Sequence, residues 1–287
     1  MARTEIIKSL SEIADGYDIL LCDVWGCYHN GVAPYTAAVD ALRQFRAGGG
    51  VVALLTNAPR PGHAVQRHLD AMSAPRTSYD TIVSSGDSAR AVIESHQFGR
   101  RLHIVGPEKD RAIWEGADVE PAPLKDCDAI LCTGLFDDRF ETPADYVNLV
   151  KAGVAQDIPL LCANPDIIVD RGAQRLYCAG AIAREYARAG GRVQYFGKPH
   201  LPIYELALRR VGQFASAVSP QRVLCIGDGI ATDVLGAENA GLACLFISGG
   251  LAAAEVGENP DHPDPVRIEE YLHRNQCQPR YTLGRLR

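Results

Sequence analysis

Four short polar segments each follow an apolar run, and their side chains suit the handling of an anion beside a hard cation. In LLCDVWGCYHNG, residues 20–31, the run ends in Asp23 and then Gly26. A carboxylate at the C-terminal end of a parallel strand lies where such sheets bind ligands; an Asp there also serves as a turn or cap residue. In VVALLTNAPR, residues 51–60, Thr56 and Asn57 close the run. A hydroxyl, a side-chain amide and loop N–H groups suit an anionic oxygen, the alternative being a helix cap ahead of Pro59 and Pro61. In FGKPH, residues 196–200, Lys198 sits between Gly197 and Pro199, and the chain holds only 5 lysines against 24 arginines. A lysine there is a compact point charge able to neutralise a phosphate and a carboxylate together. In VLCIGDGIATDVLGAENAG, residues 223–241, Asp228 follows Gly227 and Asp233 opens a helix. The helix macrodipole accounts for Asp233 but not for Asp228. Together with Asp23 these carboxylates offer hard oxygen ligands for Mg²⁺.

Strands must carry these residues. Short β-rich runs at 18–23, 51–55, 81–84, 102–105, 129–132, 159–162, 193–196, 222–226 and 243–247 alternate with helical patterns. Val39, Leu42 and Phe45 repeat at helical spacing, as do Val147, Val150 and Val154, then Leu206, Leu208 and Val211. A further helix is expected from Pro265 to Asn275. Near-continuous apolar strands alternating with helices imply an α/β fold with a parallel sheet covered on both faces. The polar motifs cluster before residue 60 and again from 197 to 233. A contiguous domain inserted between two halves of a catalytic domain gives that distribution.

Composition narrows the class. At 287 residues the chain forms one large domain or two modest ones, given roughly 100–200 residues per domain. Its net charge of −6 argues against a phosphate-backbone binder, which shows a basic face. The nine cysteines are scattered without a C-x-x-C pair, which points to small buried hydrophobes in a reducing cytoplasm. The N-terminal MARTEIIKSLSEIADG alternates charge and does not read as a signal peptide. Asn239 to Ala254, the longest uncharged stretch, is broken by glycines and falls short of the roughly 20 apolar residues of a membrane span.

In this order the four segments resemble the haloacid dehalogenase superfamily of aspartate-nucleophile hydrolases. GKPHLPIYELAL followed by GDGIATDVLGAENAGL resembles its class IIA members, the p-nitrophenyl-phosphate and phosphoglycolate phosphatases. VGPE at 105–108, NPD at 164–166 and AGAIA at 179–183 support the match. The resemblance implies a Rossmann-like core over 1–86 and 191–287 and a movable α/β cap over 87–190. It makes Asp23 the nucleophile and a Mg²⁺ ligand, with Thr56, Asn57 and Lys198 holding the phosphoryl group. Asp228 then ligates the metal, Asp233 supports it directly or through water, and the Trp25 carbonyl is a further ligand. Asn164 and Asp166 face the substrate from the cap; Arg171 and Arg175 on the following loop could meet a second anionic group, the alternative being ordinary exposed loop arginines.

One position departs from the pattern. Phosphatases of this superfamily carry D-x-D, whose second Asp is the general acid and base; here the residues are Asp23-Val24-Trp25. An indole N–H donates a hydrogen bond but does not exchange a proton near neutral pH. His29 is the nearest candidate replacement. The expected function is a Mg²⁺-dependent phosphohydrolase of small phosphorylated metabolites, slow or limited to good leaving groups. A non-catalytic phospho-ligand binder is the alternative, and a metal-free dehalogenase a weaker one. No nucleic acid or membrane partner is expected, and a homodimer is left open.

Overall fold

The most apolar runs form the middle of the first sheet. In the computed structural model, which describes residues 3–171, 174–215, 217–257 and 259–287, the strands are β1 (Glu5–Ile6), β2 (Ile19–Asp23), β3 (Val51–Thr56), β4 (Thr81–Ser84), β5 (Arg101–Val105), β6 (Glu120–Pro121), β7 (Ala129–Cys132), β8 (Leu160–Cys162), β9 (Ile168–Arg171), β10 (Gln174–Tyr177), β11 (Val193–Tyr195), β12 (Val223–Gly227), β13 (Ala243–Ile247) and β14 (Tyr281–Leu283). The first sheet runs β1-β14-β13-β12-β2-β3-β4, with parallel pairing from β1 through β3. Every residue of β2, β3 and β12 is buried, as a parallel strand covered on both faces requires. The helix α1 (Thr36–Ala47) buries Ala38, Val39, Ala41, Leu42 and Phe45 along one stripe, as the 3.6-residue period dictates.

The second sheet runs β11-β8-β7-β5-β6 and is parallel throughout. Its strands send alternate side chains into two cores, since side-chain direction has period 2. Ile130, Cys132, Leu160 and Cys162 enter one with Val150, Ile182 and Tyr186. Ala129, Leu131 and Leu161 enter the other with Ala89, Ile93 and Phe196. The helices that follow α1 among the described residues are α2 (Gly62–Ala71), α3 (Ser85–Glu94), α4 (Val147–Ala155), α5 (Ala179–Arg188), α6 (Leu201–Val211), α7 (Leu235–Asn239), α8 (Ala253–Val256) and α9 (Pro265–Arg274). Of these, α3 supplies Ala89 and Ile93, α4 supplies Val150, and α5 supplies Ile182 and Tyr186. The helix α3 starts at a capping box, Ser84 accepting from the Asp87 N–H at 2.9 Å while the Asp87 side chain accepts from the Ser84 N–H. An antiparallel pair, β9 with β10, stands apart from both sheets.

The chain divides into two compact units, Met1–Thr56, Gln66–Val83 and Tyr204–Arg287 in the first, Asn57–Val65 and Ser84–Ile203 in the second. Residues 191–203, grouped by sequence with the outer unit, lie in the second because β11 pairs with β8. All nine cysteines are free thiols. Cys225 stands beside Cys244 in the first sheet, and Cys132 beside Cys162 in the second. Among the described residues no helix is long and apolar enough to cross a membrane.

Candidate active site

The strand order of the first sheet reverses between β2 and β12, each being followed in the chain by strands laid outward on its own side. In open parallel sheets ligands bind at such a reversal, beyond the carboxyl ends of the strands. Ile226 is level with Cys22, and Asp23 with Leu55, so Asp23, Thr56 and Asp228 all fall at strand ends. An oxygen of Asp23, the Cys27 sulfur and an oxygen of Asp228 lie within 4.8 Å of one another. Asp23, Asp228 and Asp233 are 7%, 5% and 5% exposed.

Glycines let the backbone close around these carboxylates. A Cβ at Gly26 would lie 2.3 Å from Asp228 Oδ2, and one at Gly250 would lie 2.0 Å from the same atom. Gly26 also has φ +86, a region open to glycine and costly to other residues. The Leu251 N–H donates to Asp228 Oδ2 at 3.0 Å. Beyond Gly229 the chain makes one π-helical turn, Ile230–Val234, in which the Gly229 carbonyl accepts from both Asp233 N–H (2.8 Å) and Val234 N–H (3.1 Å). Single π turns recur at functional sites. This one returns Asp233 onto its own loop, where Oδ2 accepts from Gly229 N–H at 3.1 Å and from the Thr232 hydroxyl at 3.2 Å. Asp233 is not among the three converging groups, so it braces the loop that carries Asp228.

The donor set fits a hard cation. Two buried carboxylates held together repel without one, and Mg²⁺ favours oxygen ligands. Burial, reinforced by Asp228 and Asp23, pushes the Cys27 thiol well up, so it stays a neutral filler. Among the described residues the Trp25 carbonyl accepts no hydrogen bond, because the bridge between Trp25 and His29 uses the Val24 carbonyl and the Gly26 N–H. The indole packs edge-on to His29, centroids 5.3 Å apart, and against Gly31, where a Cβ would lie 2.6 Å from it.

His29 does not fit the acid role. It is buried, its Nδ1 accepts the Gly31 N–H at 2.9 Å, and desolvation, with His68 nearby, lowers its pKa to about 4. It is neutral near pH 7, with its basic nitrogen occupied.

The second unit carries another set. Lys198 is 3% exposed. Asn57 Oδ1 accepts the Lys198 N–H at 2.7 Å, and Asn57 Nδ2 donates to the Lys198 carbonyl at 3.1 Å and to Asp166 Oδ1 at 2.8 Å. Both amide hydrogens are thus committed to Lys198 and Asp166. Asp166 Oδ1 is bound to Asn57. Asn164 Oδ1 accepts the Asp166 N–H at 3.1 Å, closing the turn. Arg175 is exposed, and the Arg171 side chain lies outside the described residues.

Sequence reasoning missed Gly250, Cys27 and the pair formed by Arg60 with Asp110. The Gly249-Gly250 doublet after a strand was the legible signal for the first. Cys27 was hidden among nine similar thiols, and the Arg60–Asp110 contact spans 50 residues.

A family profile described as haloacid dehalogenase-like hydrolase matches residues 20–120, and a related profile matches 195–271. A crystal structure of a haloacid dehalogenase-like hydrolase from Brucella suis 1330 is 41% identical, covers 98% of this chain and 100% of that one, and superposes with a TM-score of 0.86. D-glycerol 3-phosphate phosphatase of Mycobacterium tuberculosis is 27% identical over 92% of this chain and 71% of its own length. A crystal structure of glycerol phosphate phosphatase from that organism in complex with magnesium is 26% identical, covers 88% of this chain and 74% of that one, and has a TM-score of 0.65. The buried Asp23 and Asp228 at strand ends and the match over nearly the whole chain agree: this protein belongs to the haloacid dehalogenase-like hydrolase family.

Proposed function

We propose that the chain is a Mg²⁺-dependent phosphohydrolase acting on small phosphate monoesters through an aspartyl-phosphate at Asp23. The observation that carries this reading is the buried convergence of Asp23 and Asp228 at a strand-order reversal. Three relatives support the substrate class, being named D-glycerol 3-phosphate phosphatase, dihydroxyacetone phosphatase and glyceraldehyde 3-phosphate phosphatase, each after a three-carbon compound. The nine free thiols suit a reducing cytoplasm.

Asp23 and Asp228 would hold the cation with the Trp25 carbonyl, and Asp233 would keep the Asp228 loop in place. When bound, Mg²⁺ offsets the charge repulsion between the carboxylates and the phosphate. An Asp23 carboxylate oxygen attacks phosphorus and the ester oxygen leaves, after which water attacks the acyl phosphate. The Thr56 hydroxyl, the Asn57 N–H and the Lys198 ammonium hold the phosphoryl oxygens. Asp228 disfavours the metal-free dehalogenase reading, since a second buried carboxylate repels the nucleophile unless a cation lies between them. Trp25 favours one second reading, a phospho-ligand binder without turnover.

Phosphate release from p-nitrophenyl phosphate and a panel of small phosphate esters, with Mg²⁺ and with chelator, tests the proposal. Mg²⁺-dependent release, abolished by Asp23→Asn in a folded protein, is the expected outcome. Saturable phosphate binding with no release from any ester would establish the second reading instead.

A further inference from the structure

Three loops meet at one carboxamide in the second unit. Asn57 grips the Lys198 residue at both its N–H and its carbonyl, and its remaining amide hydrogen goes to Asp166 Oδ1. The packing leaves no slack. A Cβ at Gly197 would lie 2.4 Å from Asn57 Oδ1, 2.7 Å from Pro165 and 2.9 Å from the Ser85 hydroxyl. A Cβ at Gly180 would lie 2.1 Å from the Pro165 carbonyl oxygen. Asp166 is itself held, its N–H by Asn164 Oδ1 at 3.1 Å and its carbonyl by the Gly180 N–H at 3.1 Å.

A carboxamide presents an oxygen on one side and an NH₂ on the other, and the two ends are nearly the same shape. An ionised carboxylate only accepts, so Asp166 admits one orientation of Asn57, with NH₂ toward itself. That orientation points Oδ1 at the Lys198 N–H. A charged acceptor also makes the stronger hydrogen bond.

We propose that Asp166 is a positioning residue that acts through Asn57 to fix the backbone of Lys198, and so the ammonium that neutralises the transferring phosphoryl group; this rests on the phosphohydrolase reading above. Asp166 then determines rate without touching substrate.

The test is a set of full-length variants assayed with p-nitrophenyl phosphate and Mg²⁺, alongside hydrogen exchange at the Lys198 amide. Asp166→Ala and Asn57→Ala are each expected to lower kcat about tenfold with KM within twofold, and the double variant to be no slower than Asn57→Ala alone. Coupled residues are non-additive in this way. Asn57→Asp sets a carboxylate against both Asp166 and the Lys198 carbonyl and is expected to lose rate, and adding Asp166→Asn, which removes only the first repulsion, is expected to restore a measurable part of it. The exchange of Lys198 quickens in both alanine variants. Additive losses, a raised KM confined to Asp166→Ala, no rescue in the exchanged pair, or unchanged Lys198 protection would each overturn the proposal. If the alanine variants do not fold, the near-isosteric exchanged pair decides. If the wild-type protein releases no phosphate from any ester, the phosphohydrolase reading fails, and Lys198 exchange still decides whether Asp166 fixes its backbone.

Discussion

Trp25 stands two residues after Asp23, and its indole is packed against Gly31 and His29, so it has no freedom to act as a displaced bystander. A positioned acid contributes about 10²–10⁴-fold. Without one, the rate should fall steeply as the leaving-group pKa rises, so a series of phosphate esters with graded leaving groups is expected to give a strong slope. Trp25→Asp should then raise alkyl phosphate turnover by about tenfold or more. A flat series with fast alkyl hydrolysis would point to another proton donor. His29 has a separate signature. The unfolded imidazole protonates near 6.5 and the folded one near 4. Between those values the unfolded chain binds more protons, so stability rises with pH there and is lost as pH falls from 6.5 through 4. The loss is about 3 kcal/mol, and His29→Asn, which keeps an acceptor for Gly31, should flatten the profile of urea midpoints. At this scale the sequence made Asp23, Lys198 and Asp228 legible because each follows an apolar run. The orientation of Asn57 was not, since an amide's direction depends on partners more than 100 residues away.

The loop elements around the site depend on close approach. Gly250 is not in the left-handed region, so Gly250→Ala is a steric probe free of backbone strain. Its Cβ would meet Asp228 Oδ2 at 2.0 Å, and a displacement of about 1 Å costs on the order of 10²-fold in rate. A Mg²⁺ titration of turnover should show the loss, alongside a lowered Tm from the overpacking. A second prediction concerns the helical turn Glu108–Ile113 in the second unit. Asp110 is 3% exposed and sits 2.9 Å from Arg60. Burial outweighs the attraction of Arg60 and Lys109, and Asp138 adds to it, so the pKa rises from 3.8 to about 6. Here the folded state binds more protons. The contribution to stability is full below pH 3.8 and is lost as pH rises through 6. Asp110→Asn is therefore expected to stabilise the protein at pH 8 by on the order of 2 kcal/mol and to change nothing near pH 3.5. Denaturant melts at the two pH values check it. Strand positions were readable from apolar runs alone, and all nine expected runs are strands. The missed β1, β6, β9, β10 and β14 are short, and β9 and β10 carry charged residues that break the apolar pattern.

Over the whole molecule, a cation held by Asp23 and Asp228 stabilises the native state by mass action. At 100 times its dissociation constant the gain is about 2.7 kcal/mol, so Mg²⁺ should raise the Tm of the wild type and not that of Asp228→Asn. Calorimetry of the two proteins, each with and without Mg²⁺, checks this without any assay of turnover. The sparseness of motifs in the middle third leads to the expectation of an inserted domain, and the second unit takes in Asn57–Val65 besides Ser84–Ile203. Its boundaries were not legible, because β11 is a short run, half-buried along its length, and only its partner β8 reveals which sheet it joins.

The buried thiols have an experimental consequence. Cys132 and Cys178 are pushed up to about 12 by burial, and reaction with an alkylating reagent needs exposed thiolate. Cys132, Cys162 and Cys178 belong to one unit, and Cys22, Cys225 and Cys244 to the other. Alkylation resolved residue by residue by mass spectrometry thus reports the opening of each unit on its own clock. Equal rates across both sets would mean that the two halves unfold as one cooperative body; two distinct rates would rank them, with no probe added to the natural sequence.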